Sequence, residues 1–186
     1  IHINIMIMRD KNGVQSDEEK IWLTNFKKEQ VLEEGYRSLQ ATKPQTLAYS
    51  MLDNPVGVAA WILEKFYGWS DIKKNSLLDT YNINDLITNV MLYLVTNSFN
   101  TSTWIYYGRR EEGGRIMNAD GKRVEVPTAC ALFPRELLSW PPRSYVDRLY
   151  NVVQWNEFSK GGHFAAMEEP ELLIKDIIDY FNLLKK

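Results

Sequence analysis

The chain has 186 residues, 45% of them apolar and 25% charged, with a formal net charge of −2 and a pI near 5.8. That is room for one domain with a real core, or one and a half small ones. It gives no electrostatic reason to bind nucleic acid, and no basic stripe with interleaved aromatics appears. No apolar stretch approaches the ~20 residues of a membrane span, so this segment does not indicate a membrane, and no signal peptide is visible. The single cysteine, Cys130, excludes an intrachain disulfide and fits a reducing, cytoplasmic setting. It lies in the apolar run Val126 to Phe133, which predicts packing rather than reactivity.

Ile1-His2-Ile3-Asn4-Ile5-Met6-Ile7-Met8 alternates at first and is then largely apolar, which predicts a strand over 1–8. A chain that opens inside a strand reads as a piece of something longer. Lys11-Asn12-Gly13 is a turn. Ser16, with Glu19 three residues on, is a capping box that opens an amphipathic helix from about 17 to 38. Its stripe of Ile21, Trp22, Phe26, Val31 and Leu32 is assigned to the core. A helix near 44–52 follows, and Asn54-Pro55 stops it and starts another to about Phe66. Helices near 84–96, with Asn84 as N-cap, and 99–108 complete a block, 16–110, expected to be helical throughout. Glu111 to Gly121 is polar and glycine-containing, and reads as a loop.

Then the pattern changes. Lys122 to Phe133 is a strand ended by Pro134, a helix covers about 142–149, and Asn151 to Asn156 is a short strand. Gly161-Gly162-His163-Phe164-Ala165-Ala166 follows, and Pro170 opens a terminal helix with apolar Leu172, Leu173, Ile177, Phe181 and Leu184. The order predicts an α/β fold, the C-terminal part of a sheet interrupted by a helical insertion. Its divisions are a core strand and loop over 1–15, a helical lid or cap over 16–110, and the C-terminal part of the core over 111–186.

The paired glycines let the backbone turn tightly and carry His163 to an open surface after a strand, where an α/β-hydrolase keeps its general base. A base histidine needs an acid to hold its tautomer. The candidate is Glu136, in Leu132-Phe133-Pro134-Arg135-Glu136-Leu137, where the strand-ending proline lets the side chain leave the sheet edge. Acid before histidine matches the order nucleophile, acid, histidine of that fold. Taken alone, Glu136 reads as a solvated glutamate. Asp147 and Glu157 are rivals by spacing only, both expected in the interior of an element.

Three stretches together resemble the epoxide hydrolases of the α/β-hydrolase superfamily, nearest the microsomal and insect juvenile-hormone type. The first runs Gly35-Tyr36 to Gln40, Thr42-Lys43-Pro44, and Asn54-Pro55-Val56-Gly57-Val58-Ala59-Ala60-Trp61-Ile62-Leu63-Glu64-Lys65-Phe66. The second is Asp85-Leu86-Ile87-Thr88-Asn89-Val90-Met91-Leu92-Tyr93. The third joins Val126-Pro127-Thr128, Phe133-Pro134-Arg135-Glu136, and Gly161 to Ala166 with Glu168-Glu169-Pro170-Glu171-Leu172-Leu173.

The resemblance implies that an aspartate opens an epoxide and forms an ester, that lid tyrosines protonate the departing alkoxide, and that a histidine backed by a carboxylate activates water against the ester. On it, His163 is the base, Glu136 its partner, Tyr36 the first lid tyrosine and Tyr106 the second, with Tyr107 the adjacent alternative. It implies no cofactor and no metal; the substrate is a small apolar epoxide. The nucleophile and the oxyanion loop of such enzymes have no counterpart in these residues. The chain is therefore expected to need a missing N-terminal half or self-association, and to be inactive alone. A related esterase or dehalogenase-like hydrolase, or a non-catalytic binding protein on the same fold, stand as alternatives.

Overall fold

The computed structural model describes residues 1–72, 76–113 and 122–185, so residues 114–121 of the loop expected over 111–121 lie outside the described residues. In chain order the elements are β1 (His2–Ile3), α1 (Asp17–Thr42), α2 (Pro44–Met51), α3 (Pro55–Gly68), a 3-10 turn (Leu77–Asp79), α4 (Ile83–Val95), α5 (Phe99–Glu111), β2 (Val124–Leu132), α6 (Arg143–Leu149), β3 (Tyr150–Glu157), α7 (Ala165–Glu168) and α8 (Pro170–Leu183). They form two compact units. One holds Ile1–Glu29, Trp69–Asp71 and Ile116–Lys186; the other holds Gln30–Gly68 and Ile72–Arg115. The division falls inside α1, whose first half belongs with the sheet.

The sheet unit is built on three parallel strands in the order β1-β2-β3. Pro127 lies inside β2 and has no N–H to give, and the β2–β3 register shifts on both sides of it. Its carbonyl instead accepts the Tyr180 hydroxyl at 2.6 Å. Leu132 and Glu157 are partners at the carboxyl ends of β2 and β3. Because the strands are parallel, the loops that carry Glu136 and His163 leave the same edge of the sheet, where ligands bind in open α/β sheets. Met6, Trp22, Phe26, Cys130, Tyr145, Val146 and Leu149 form the core of this unit. Burial pushes the Cys130 thiol up to about 12, so this cysteine is an inert core residue. The helical unit packs around Leu47, Val58, Val90 and Phe99. Among the described residues no helix is long and apolar enough to cross a membrane.

Several expectations need correction. The strand over 1–8 reduces to His2–Ile3, paired with Ala129 and Cys130; a bend at Asn4 ends the ladder, and Met6 turns into the Trp22–Phe26 cluster. The block over 16–110 is not helical throughout. It breaks at Trp69–Asp71, where the Trp69 carbonyl accepts the His163 N–H and the Asp71 N–H donates to the Glu168 carboxylate. The stripe of α1 is core only in part. Trp22 and Phe26 are buried, but Ile21, Val31 and Leu32 are 65%, 73% and 84% exposed. The terminal helix, read as an apolar pattern, buries two side chains that carry polar groups. Phe181 and Leu184 are exposed, and the buried positions are Asp176 and Tyr180. Asp176 accepts hydrogen bonds from Gln154 at 3.0 Å and from Asn156, and meets His2 Nε2 at 2.7 Å. The second histidine of the chain thus belongs to a polar cluster around the buried Asp176.

The start of α1 shows how charge is buried here. Ser16 Oγ accepts the Glu19 N–H at 3.2 Å, and Glu19 Oε2 accepts the Gln15 N–H at 2.7 Å, a capping box displaced by one residue. Glu19 also receives both Nη atoms of Arg148, at 2.6 and 2.9 Å, while Arg148 Nε reaches Asp10 at 2.9 Å. The Arg148 hydrogen bonds, working against burial, hold the Glu19 carboxyl down at about 2, from an ordinary 4.5. A depressed carboxyl contributes stability that is complete above the unfolded value and disappears as pH falls through the folded one. Denaturant unfolding should therefore show stability falling between about pH 4.5 and 2. Glu19→Gln should cost about 1–3 kcal/mol at neutral pH, because it leaves a part-buried guanidinium half-paired, and should flatten that acid dependence. An unchanged acid limb in the variant would contradict this account.

Candidate active site

The sheet unit brings His163 and Glu136 together. His163 Nδ1 lies 2.6 Å from Glu136 Oε1, and the side chains are 25% and 2% exposed. The Leu137 N–H donates to the same oxygen at 2.8 Å. Oε2 is buried with no hydrogen-bond partner among the described residues, so the charge rests on the contacts at Oε1. An ionised carboxylate can only accept, so Nδ1 carries the proton and Nε2 keeps its lone pair. That is the tautomer a general base requires.

Backbone geometry makes this contact. Gly161 adopts φ +96°, a conformation that L side chains rarely take, and a Cβ there would stand 2.7 Å from the Phe133 ring. A Cβ on Gly162 would meet the Trp69 carbonyl oxygen at 2.6 Å and that of Arg135 at 2.9 Å. The Arg135 N–H donates to the Gly161 carbonyl at 3.1 Å, and Arg135 and Gly162 form a parallel bridge. The acid loop and the histidine loop are therefore stitched through their backbones one residue from each functional side chain. On its other flank the acid loop is fixed to α1: the Ser139 N–H donates to Glu29 Oε2 at 2.8 Å, and Trp22 Nε1 donates to the Ser139 carbonyl at 2.9 Å.

The rivals for the acid lie elsewhere. Asp147 is on α6, 3.5 Å from Arg143. Glu157 is the last residue of β3, not in a strand interior as expected, and accepts the Trp155 indole N–H at 3.0 Å.

The helical unit brings the two tyrosines together. The Tyr36 and Tyr106 rings meet edge to face with centroids 5.9 Å apart, and the side chains share a hydrogen bond. Tyr107 is exposed, whereas Tyr106 is half-buried. Lys65 Nζ lies 4.4 Å from the centre of the Tyr36 ring. Burial, then the neighbouring Tyr106, push the Tyr36 phenol far above its ordinary value. It stays neutral and protonated at any physiological pH, a hydrogen-bond donor rather than an anion.

Sequence reasoning gave no role to Trp69, Asp71 and Glu168, which surround His163. The polar break after Gly68, in an otherwise apolar helical run, was the available signal.

No family model matches the chain. Juvenile hormone epoxide hydrolase 1 of Ctenocephalides felis is 43% identical over 162 residues, covering 84% of this chain and 34% of that protein. Epoxide hydrolase 1 of Sus scrofa is 36% identical over 159 residues, covering 83% and 35%. Among solved structures, juvenile hormone epoxide hydrolase from the silkworm Bombyx mori superposes with a TM-score of 0.77 at 31% identity, covering 93% of this chain and 43% of that one. The chain spans about a third of the length of the curated relatives it matches. A small parallel sheet with a helical cap, superposing in this way, defines the α/β-hydrolase class. Within that class the chain belongs to the epoxide hydrolases.

The glycine cradle is directly testable. Gly162→Ala must push back two carbonyl oxygens, and should cost about 1–3 kcal/mol. Gly35→Ala, inside α1 with nothing within 4 Å of the added carbon, should instead stabilise by about 0.5–1 kcal/mol. Thermal unfolding of both variants checks the pair, and equal shifts in the same direction would contradict the packing described.

Proposed function

We propose that this chain supplies the base, its acid and the proton donors of an epoxide hydrolase, and that the nucleophilic aspartate lies outside it. The observation that carries the reading is the 2.6 Å contact between His163 Nδ1 and the buried Glu136 carboxylate, at the shared carboxyl edge of two parallel strands. The Tyr36–Tyr106 pair supports epoxide chemistry over ester or haloalkane cleavage, since a carbonyl oxyanion is met by backbone N–H groups and a departing halide needs no proton, whereas the oxygen of an opening epoxide takes one. In the proposed division, the helical residues are the lid and the sheet unit is part of the catalytic core.

The steps balance without a cofactor. A carboxylate oxygen attacks an epoxide carbon, the ring C–O bond breaks, and the oxygen takes a proton from Tyr36 or Tyr106. His163 Nε2 then removes a proton from water, whose oxygen adds to the ester carbonyl. The acyl–oxygen bond breaks, the departing alkoxide takes the proton of the newly formed carboxyl to give a vicinal diol and the regenerated carboxylate, and the imidazolium proton returns through solvent to the tyrosinate. Glu136 stabilises the transient imidazolium. The substrate is a small apolar epoxide, and the polypeptide carrying the aspartate is the partner. Buried Cys130 supports a reducing, cytoplasmic setting for this segment.

In a complete protein carrying the aspartate, Tyr36→Phe and Tyr106→Phe should each slow ester formation by about 10–100-fold, and the double variant by more. Rapid-quench mass measurement of the adduct reads this step directly. Ester formation at the unaltered rate in both single variants would remove the tyrosines from the mechanism.

A further inference from the structure

Gly161 and Gly162 offer no side chain by which the histidine loop could be gripped, so the direction of the imidazole depends on what holds the backbone around it. Trp69, Ser70 and Asp71 provide that hold. Leaving the end of α3, they lie against residues 161–164. The His163 N–H donates to the Trp69 carbonyl at 2.8 Å, and the Gly161 N–H donates to Asp71 Oδ2 at 3.0 Å. The Trp69 ring stands edge to face against His163, with centroids 5.2 Å apart, and stacks with Phe164 at 6.3 Å. Glu168, on α7, fastens the two segments together. Its Oε2 accepts the Asp71 N–H at 2.7 Å, and its Oε1 accepts the Phe164 N–H at 3.0 Å.

This is a costly way to join two loops. Burial raises the Glu168 carboxyl above its ordinary value, with the nearby Asp71 charge adding a smaller push upward. Among the described residues no cation pairs with Glu168, and the Arg135 guanidinium stands 3.8 Å from Asp71. An apolar contact would hold the loops at lower cost. What the carboxylates add is direction, because each fixes a particular N–H on either side of the imidazole.

We propose that Glu168 and Asp71 are positioning residues for His163, clasping Trp69–Asp71 to the 161–164 loop so that Nε2 keeps one direction while Glu136 holds Nδ1. Neither touches the reacting atoms. The function of the clasp rests on the reading of His163 as the base that hydrolyses the ester. Without it the His163–Glu136 bond persists, but the ring swings about that bond. Displacements of about 1 Å at a reacting group cost up to 10²-fold in rate.

Two measurements test this, and they fail separately. In a complete protein carrying the nucleophile, the labelled imidazole carbons of His163 are identified by the signal that His163→Gln removes, and His2, held by Asp176, is the internal control. Glu168→Gln, which keeps the shape but turns one acceptor into a donor, should broaden or split the His163 signal and leave that of His2 unchanged. In a complete protein carrying the nucleophile, the same variant should slow ester hydrolysis about tenfold or more, with ester formation within about twofold of the original, so that ester accumulates. Asp71→Asn should reproduce both effects if Glu168→Gln fails to fold. An unmoved His163 signal in a folded variant overturns the proposal, as does equal slowing of both steps. Absence of any ester in the unaltered complete protein would instead overturn the hydrolase reading, and the imidazole signals would still decide whether the clasp orients the ring.

Discussion

An imidazole accepts a proton at Nε2 only while Nδ1 keeps its own, and here Nδ1 is kept protonated by one oxygen of a buried glutamate. The surrounding structure serves that contact. Parallel pairing of β2 and β3 sends both loops off one edge. The Arg135–Gly162 bridge fixes their separation, and the bonds of Ser139 to Glu29 and Trp22 keep the acid loop on α1. With no donor to Oε2 among the described residues, the Glu136 carboxylate is held mainly by the ring it orients and by the Leu137 N–H. In the mechanism we propose, this carboxylate stabilises the imidazolium formed when water gives up its proton.

The two units present opposite answers to the problem of burying a polar group. In the sheet unit, charge is buried against a partner: Glu19 and Asp10 against Arg148, and Glu136 against His163. In the helical unit, Tyr36 is buried neutral beside a second phenol, and its proton is held more tightly as a result. One arrangement suits a base that must carry positive charge for a moment. The other suits donors that must stay protonated until an alkoxide appears. In the reaction we propose, the two environments would let a base and proton donors operate at the same pH.

Much of this was legible in the sequence, for identifiable reasons. Glu136 and His163 could be found because each follows a strand, and strand ends are marked by Pro134 and the paired glycines. The pairing of Tyr36 with Tyr106 came from resemblance alone, since nothing in their spacing brings two positions seventy residues apart together. Periodicity did not separate the covered face of α1, which holds Trp22 and Phe26, from neighbouring apolar positions or show how far along the helix it is covered, so Ile21, Val31 and Leu32 were misplaced. The break at Trp69 was illegible because its cause is tertiary. The Trp69 carbonyl is claimed by the N–H of a histidine ninety-four positions later, and local propensity holds no trace of that bond. His2 is an instructive counter-case. It too sits against a buried carboxylate, but that carboxylate, Asp176, also accepts from Gln154 and Asn156.

The central claim is that His163 serves the second half of a two-step reaction whose first half uses a carboxylate outside these residues. The most direct measurement is the mass of the complete protein, quenched after mixing with a small apolar epoxide, with His163→Gln in place. The account predicts about one equivalent of a covalent adduct equal to the mass of the epoxide, stable in the variant and transient in the unaltered protein. No adduct in the variant, with diol still formed by the unaltered protein, would contradict it.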